Sequence, residues 1–151
     1  MSRPTKDDYF LGIAEAVAKR STCIRRQYGA VIVKNDVIVS TGYNGSPRNA
    51  ENCCDNGYCW REANNILHGE RYEMCQAVHA EANAITKIAC SNNSSKGATM
   101  YVTTSPCIEC AKLIIQAGIK RVIYSEKYRL EDGLDLLRRA NIEVVYLNPN
   151  E

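Results

Sequence analysis

Two short stretches, "AVHAEANA" around His79 and "TTSPCIECAK" around Cys107, contain residue types that could do chemistry. His79-Ala80-Glu81 reads H-x-E, and Pro106-Cys107-Ile108-Glu109-Cys110 reads P-C-x-x-C. Two cysteines three apart at a helix start can face one ion, and the helix dipole there favours their thiolate forms. Pro106 suits such a start, because a first-turn residue has no intrahelical hydrogen bond to lose. One histidine and two thiolates give a zinc ion three protein ligands and leave a fourth position for water. That open position separates reactive sites from closed structural ones. Glu81 lies two residues past His79, off the ligand face, where a carboxylate can exchange a proton with that water. Singly the motifs are weak, since C-x-x-C is more often a structural clamp and H-x-E alone carries little. Together, both at helix starts with a strand between them, they favour a hydrolytic metal site.

Those side chains need a scaffold to position them. Thr5 followed by Asp8 marks a helix start, and Phe10, Ile13, Ala14, Val17 and Ala18 form an apolar stripe at helical spacing. "GAVIVK" and "VIVSTG" read as strands joined through Asn35-Asp36 in a tight hairpin. "HAEANAITKIA" reads as a helix with Ala80, Ala84 and Ile88 on one face, and "ATMYVTT" as a buried strand. "CIECAKLIIQAG" is a helix closing at Gly118, "RVIYS" a strand, "GLDLLRRA" a helix stopped near Asn141, and "IEVVYL" a last strand. From residue 79 onward helix and strand alternate. That order predicts an α/β layered sheet in one domain spanning 1–151, with the hairpin adding two strands. From Asn44 to about Tyr72 no period holds, and a loop that long is either functional or held by something other than a core. Cys90, on the helix after H-x-E, reads as a small buried apolar residue.

Composition narrows the function classes. A formal net charge of +2 is too small to make nucleic acid the main partner. No apolar run has the length of a membrane span, and "MSRPTKDDYF" lacks the apolar stretch of a signal peptide. The expectation is a cytoplasmic protein, in which eight cysteines with C-x-x-C spacing bind metal and do not form disulfides.

The stretches "STCIRRQYGAVIVKNDVIVSTGYNGSPRN", "NCCD", "VHAEANAI", "GATMYVTTSPCIECAKLIIQAGIKRVIY" and "EKY" resemble the deoxycytidylate (dCMP) deaminase family, within the cytidine deaminase superfamily. H-x-E with P-C-x-x-C is the zinc signature of the nucleobase deaminases, while "STC" and "TGYNGSP" are more specific to this family. The resemblance implies a three-layer α/β/α cytidine deaminase-like fold with a central mixed five-stranded sheet. It implies hydrolysis of dCMP to dUMP and ammonia, supplying thymidylate (dTTP) synthesis. Zinc on His79, Cys107 and Cys110 would activate water toward C4 of cytosine, and Glu81 would move the proton to N3 and then to the departing amine. Groups near Ala80 and Ser105 would hold the pyrimidine edge, and Asn44 the sugar. Arg26 and Tyr128 would hold the phosphate, a guanidinium matching its oxygens two at a time, with Arg25 the neighbouring alternative. The loop Gly42, Tyr43, Asn44 and Gly45 resembles an effector site where dCTP activates and dTTP inhibits, with Mg2+ accompanying the nucleotide. The resemblance also implies a homo-oligomer, commonly a hexamer, in the cytoplasm, or in the host's for a viral member.

Family members often carry a second, structural zinc, and by resemblance its ligands here are Cys23, Cys53, His68 and Cys75. Independently of that, a metal would tie down a 44–72 loop that has no core of its own. Cys54 and Cys59 are rival ligands that spacing does not exclude. Three other readings compete: a deaminase acting on dCTP or another cytosine nucleoside or nucleotide, one acting on transfer RNA adenosine, and a zinc-stabilised binding module without turnover.

Overall fold

The computed structural model describes residues 2–148. Thr5 caps helix α1 (Lys6–Ala18), its hydroxyl accepting the Asp8 N–H at 3.1 Å. Strands β1 (Gly29–Lys34) and β2 (Val37–Tyr43) then form an antiparallel hairpin. Its two linking residues, Asn35 and Asp36, both have positive φ, 53° and 64°, which a two-residue turn matched to strand twist requires.

Two single-turn helices, α2 (Cys53–Asn56) and α3 (Trp60–Ala63), and a 3-10 turn (Tyr72–Met74) interrupt the long loop that sequence periodicity leaves blank. Elements this short have no amphipathic repeat to detect. The regular alternation follows: α4 (Ala80–Ala89), β3 (Thr99–Val102), α5 (Ile108–Gln116), β4 (Arg121–Tyr124), α6 (Asp132–Arg139) and β5 (Glu143–Tyr146). The strands form one sheet in the order β2-β1-β3-β4-β5, antiparallel on the hairpin side and parallel across β3, β4 and β5.

Strand alternation sends successive side chains to opposite faces and so builds two cores. Val31, Val33, Tyr101 and Ile123 face α1 and meet Phe10, Leu11 and Ala14. Ala30, Ile32, Met100, Val102 and Val122 face α4, α5 and α6 and meet Ala84, Ile88, Ile114, Leu134 and Leu137. The expected three-layer α/β/α arrangement with a mixed five-stranded sheet is the one observed.

Two local expectations need correcting. Leu11, and not only the predicted stripe, is buried on α1, while Ile13 and Val17 are half-buried at its margin. Cys90 is exposed, because it is the C-cap of α4 and lies beyond the helix's buried face.

Candidate active site

His79 and Cys107 are the N-cap residues of α4 and α5, as the motif spacing predicts, and Cys110 follows one turn into α5. Both helices present their starts at the end of the sheet where β3 stops. His79 Nδ1 is 3.3 Å from Cys110 Sγ and 3.5 Å from Cys107 Sγ, and the three ligand atoms all lie within 4.8 Å of one another. Zinc–nitrogen and zinc–sulfur bonds of about 2.0–2.3 Å in a tetrahedron put neighbouring ligands about 3.5 Å apart, so this set fits a zinc ion. Among the described residues it is the one histidine, cysteine and carboxylate group drawn together so tightly.

The protonation chemistry agrees with the geometry. The Cys107 thiol is pulled down to about 4, chiefly by the hydrogen bond from Cys110 and then by His79. Cys110 is pushed up by the same hydrogen bond and by burial. His79 is raised through its hydrogen bond with Cys107. Glu81, in the first turn of α4, is 3% exposed, and burial raises its carboxyl. His79, Cys107 and Cys110 all act electrostatically on its carboxyl, which sets a buried acid beside the ligand cluster.

Two glycines allow the backbone to close around this cluster. A Cβ on Gly42 of β2 would lie 2.4 Å from the Ala80 carbonyl and 2.5 Å from the Ala84 nitrogen, so α4 rests directly on the strand there. A Cβ on Gly133 of α6 would lie 2.2 Å from the Pro106 carbonyl, so α6 packs on the segment that leads into Cys107.

The other sequence-predicted residues divide. Ala80 is buried as the first residue of α4, where backbone N–H groups have no intrahelical acceptor. Ser105 is buried, its N–H donating to the Glu126 carbonyl at 2.8 Å and its hydroxyl accepting the Tyr128 N–H at 2.7 Å. That pair brings Tyr128 to the cysteine side of the site. Arg26 is exposed, and no hydrogen bond or ion pair engages its side chain among the described residues. Arg25 differs: its guanidinium meets Glu62 at 3.2 Å and His68 at 2.9 Å.

Asn44 turns inward. Its amide oxygen accepts from Ser21 Oγ at 2.6 Å and the Tyr28 N–H at 2.9 Å, and its nitrogen donates to the Arg26 carbonyl at 2.9 Å. It therefore anchors the 21–28 loop. Of the four "GYNG" residues, Tyr43 and Gly45 line an open cleft of about 310 Å³ together with Arg48, Asn49, Asn83 and Lys87. Gly42 is not brought to that cleft because it is covered by α4, nor is Asn44, whose amide is bonded to the 21–28 loop. Arg48, Asn83 and Lys87 are cleft residues that motif reading passed over, and only their closeness to "GYNGSP" or to H-x-E hinted at them.

A second cysteine group surrounds a hollow of about 20 Å³, room for one small sphere, lined by Cys23, Cys53, Cys59 and Cys75 with Trp60. The Cys53 thiol is raised by burial and by the neighbouring thiols of Cys23, Cys59 and Cys75. His68 does not line this hollow. It is held by Arg25, while Cys59, buried as the N-cap of α3, lines the hollow. Cys54 is exposed. None of the eight cysteines is in a disulfide.

A mixed five-stranded sheet with this ligand set and a buried carboxylate between two helix starts defines a cytidine deaminase-like enzyme, a hydrolase acting on C–N bonds. The sequence pattern of the family described as "Cytidine and deoxycytidylate deaminase zinc-binding region" matches residues 4–126, and the chain belongs to that family. The deoxycytidylate deaminase of Mycobacterium phage D29 is 45% identical over 132 residues, covering 84% of this chain and 99% of the relative. That of Saccharomyces cerevisiae is 39% identical over 145 residues, covering 95% of this chain, which spans only 45% of the yeast protein's length. The crystal structure of dCMP deaminase from cyanophage S-TIM5 in complex with dCMP and dUMP superimposes with a TM-score of 0.79 at 33% identity. The match covers 97% of this chain and 100% of that one.

Proposed function

We propose that this chain deaminates dCMP hydrolytically to dUMP and ammonia, as a single domain over residues 1–151. The observation that carries the reading is the pairing of the His79, Cys107 and Cys110 set with buried Glu81, on a fold shared end to end with a relative crystallised with dCMP and dUMP. His79, Cys107 and Cys110 would hold a zinc ion, which would supply the Lewis acidity that lets water ionise near neutral pH.

The remaining steps belong to side chains of the protein. Glu81 accepts a proton from water as the oxygen adds to C4 and hands it to N3; it then passes the remaining proton of the new C4 hydroxyl to the amine as the C4–N bond breaks and the C4 carbonyl forms. Its burial, with the raised affinity for protons that follows, suits a group that must both take and release one. The first-turn amides near Ala80 and the segment at Ser105 flank the pyrimidine, while Arg26 and Tyr128 meet the 5′-phosphate. Asn44 supports the sugar side through the loop it anchors.

The finer parts of the reading have separate supports. A second zinc would sit among Cys23, Cys53, Cys59 and Cys75, four thiols able to close an ion to water and hold the 44–75 loop. The cleft at Tyr43, Arg48 and Lys87 has two cations, amides and a ring, which suits a nucleoside triphosphate carrying Mg2+, dCTP as activator and dTTP as inhibitor. Supply of dUMP to thymidylate synthesis, a hexameric assembly and a cytoplasmic setting complete it. Among the described residues no helix is long and apolar enough to cross a membrane.

Ammonia release measured on dCMP, dCTP, deoxycytidine and an RNA hairpin, with and without dCTP and dTTP, tests the substrate and the regulation together. Preferred turnover of dCMP, stimulated by dCTP and suppressed by dTTP, is the expected result. Preference for dCTP, the nucleoside or the RNA would overturn it.

A further inference from the structure

Two arginines outside the ligand cluster, Arg25 and Arg129, reach the same dipeptide from different parts of the fold. Arg25 Nη2 donates to His68 Nδ1 at 2.9 Å, and its Nε pairs with Glu62 at 3.2 Å. His68 must be the acceptor, because a guanidinium has no acceptor to offer. Arg129 Nη2 donates to the carbonyl of the very next residue, Gly69, at 3.2 Å.

Each arginine adjoins a residue assigned to the phosphate. Arg26 follows Arg25, and Tyr128 precedes Arg129 with its N–H fixed on Ser105, two residues before Cys107. The dipeptide His68–Gly69 therefore ties the segment carrying Arg26 to the segment carrying Tyr128. Glu62, on the single turn of α3, and His68, on the loop after it, are both exposed. Burial does not explain these contacts, and exposed pairs of this kind contribute little to stability.

We infer that the segment from Glu62 to Gly69 is a specificity element, which holds Arg26 and Tyr128 at the separation a 5′-monophosphate needs. The inference rests on the dCMP reading above. Glu62 and His68 are positioning residues that act through Arg25. Their effect is on pre-organisation, so a substrate with no phosphate gains nothing from them.

The test uses His68→Leu and Glu62→Leu, with His68→Gln as the variant that keeps an acceptor for Arg25. Steady-state kinetics on dCMP and deoxycytidine are measured beside melting temperature and zinc content. The KM for dCMP rises about tenfold in both leucine variants, kcat holds, and kinetics on deoxycytidine stay at the wild-type level. His68→Gln recovers most of the loss, and melting temperature and zinc content match wild type in all three. The inference is overturned by an unchanged KM for dCMP, by equal losses on both substrates, or by a glutamine variant no better than leucine. Zinc loss in His68→Leu also overturns it, since His68 would then be a ligand. A wild-type enzyme with no preference for dCMP over deoxycytidine removes the phosphate reading itself, and the specificity element with it.

Discussion

His79 Nδ1 lies 3.3 Å from Cys110 Sγ, although 31 residues separate them, because the starts of α4 and α5 converge at one end of the sheet. The spacing is that of ligands about one ion, so activity should follow metal content. Dialysis against a strong chelator should abolish turnover, and one equivalent of zinc per catalytic site should restore it. Cys110→Ser should lose both the tightly held zinc and the activity. Full activity in metal-free protein would disprove the assignment.

Glu81 is buried beside that set but is no part of it. Glu81→Gln keeps the side chain's shape and removes its capacity to carry a proton. The variant should retain zinc and fold while kcat falls by about 10²–10⁴-fold, the range for a positioned general acid–base. Circular dichroism, zinc analysis and ammonia release on one preparation check the three parts together.

Cys59 and His68 give opposite expectations for the second cysteine group. Cys59 lines the hollow with Cys23, Cys53 and Cys75, whereas His68 is bonded to Arg25. Cys59→Ser should reduce zinc from about two ions per chain to about one and expose the 44–75 loop to protease. His68→Gln should change neither. Zinc analysis and limited proteolysis of the two variants decide between the ligands.

The division between what the sequence revealed and what it hid follows from range. Asn35-Asp36, Gly118 and Asn141 announced their turns because positive φ is a local demand that few residue types meet. H-x-E and P-C-x-x-C were legible for the same reason: each ligand's position on its helix start is local, and only the meeting of the two starts is not. That Cys59 lines the hollow, and His68 does not, follows from how α2, α3 and the 3-10 turn fold around it, which spacing does not encode. The inward turn of Asn44 was hidden likewise, since its partners at Ser21, Arg26 and Tyr28 lie about twenty residues back on another loop.

Asp7 on α1 ties the parallel part of the sheet to the helix. It takes two bonds from Arg121, at 2.9 and 2.8 Å, and one from Tyr101 at 2.7 Å. The Arg121 guanidinium holds its carboxyl below the ordinary value of 3.8. A depressed carboxyl stabilises the fold above its unfolded-state pKa, and that stabilisation is lost as pH falls through the folded value. Asp7→Asn should therefore cost about 1 kcal/mol at pH 7, modest because both side chains are partly solvated. The gap from wild type should close as pH drops below 3.8. Denaturant melts at pH 7 and pH 3 measure it, and a gap independent of pH would rule the ion pair out as its source.

Gly42→Ala should show how tightly the sheet sets the site. Its new methyl would meet the Ala80 carbonyl at 2.4 Å and the Ala84 nitrogen at 2.5 Å, both backbone atoms that cannot rotate away. Helix α4 would have to lift off β2, at a cost of about 1–3 kcal/mol and a fall in melting temperature of about 2–10 °C. Because His79 caps that helix and Glu81 lies in its first turn, kcat should fall as well. Gly12→Ala is the control. Gly12 is exposed within α1 with nothing near its missing Cβ, so alanine there should stabilise by about 0.5–1 kcal/mol and leave kcat unchanged. If Gly42→Ala melts and turns over like Gly12→Ala, then α4 is not seated on β2 as described and the positioning of Glu81 must come from elsewhere.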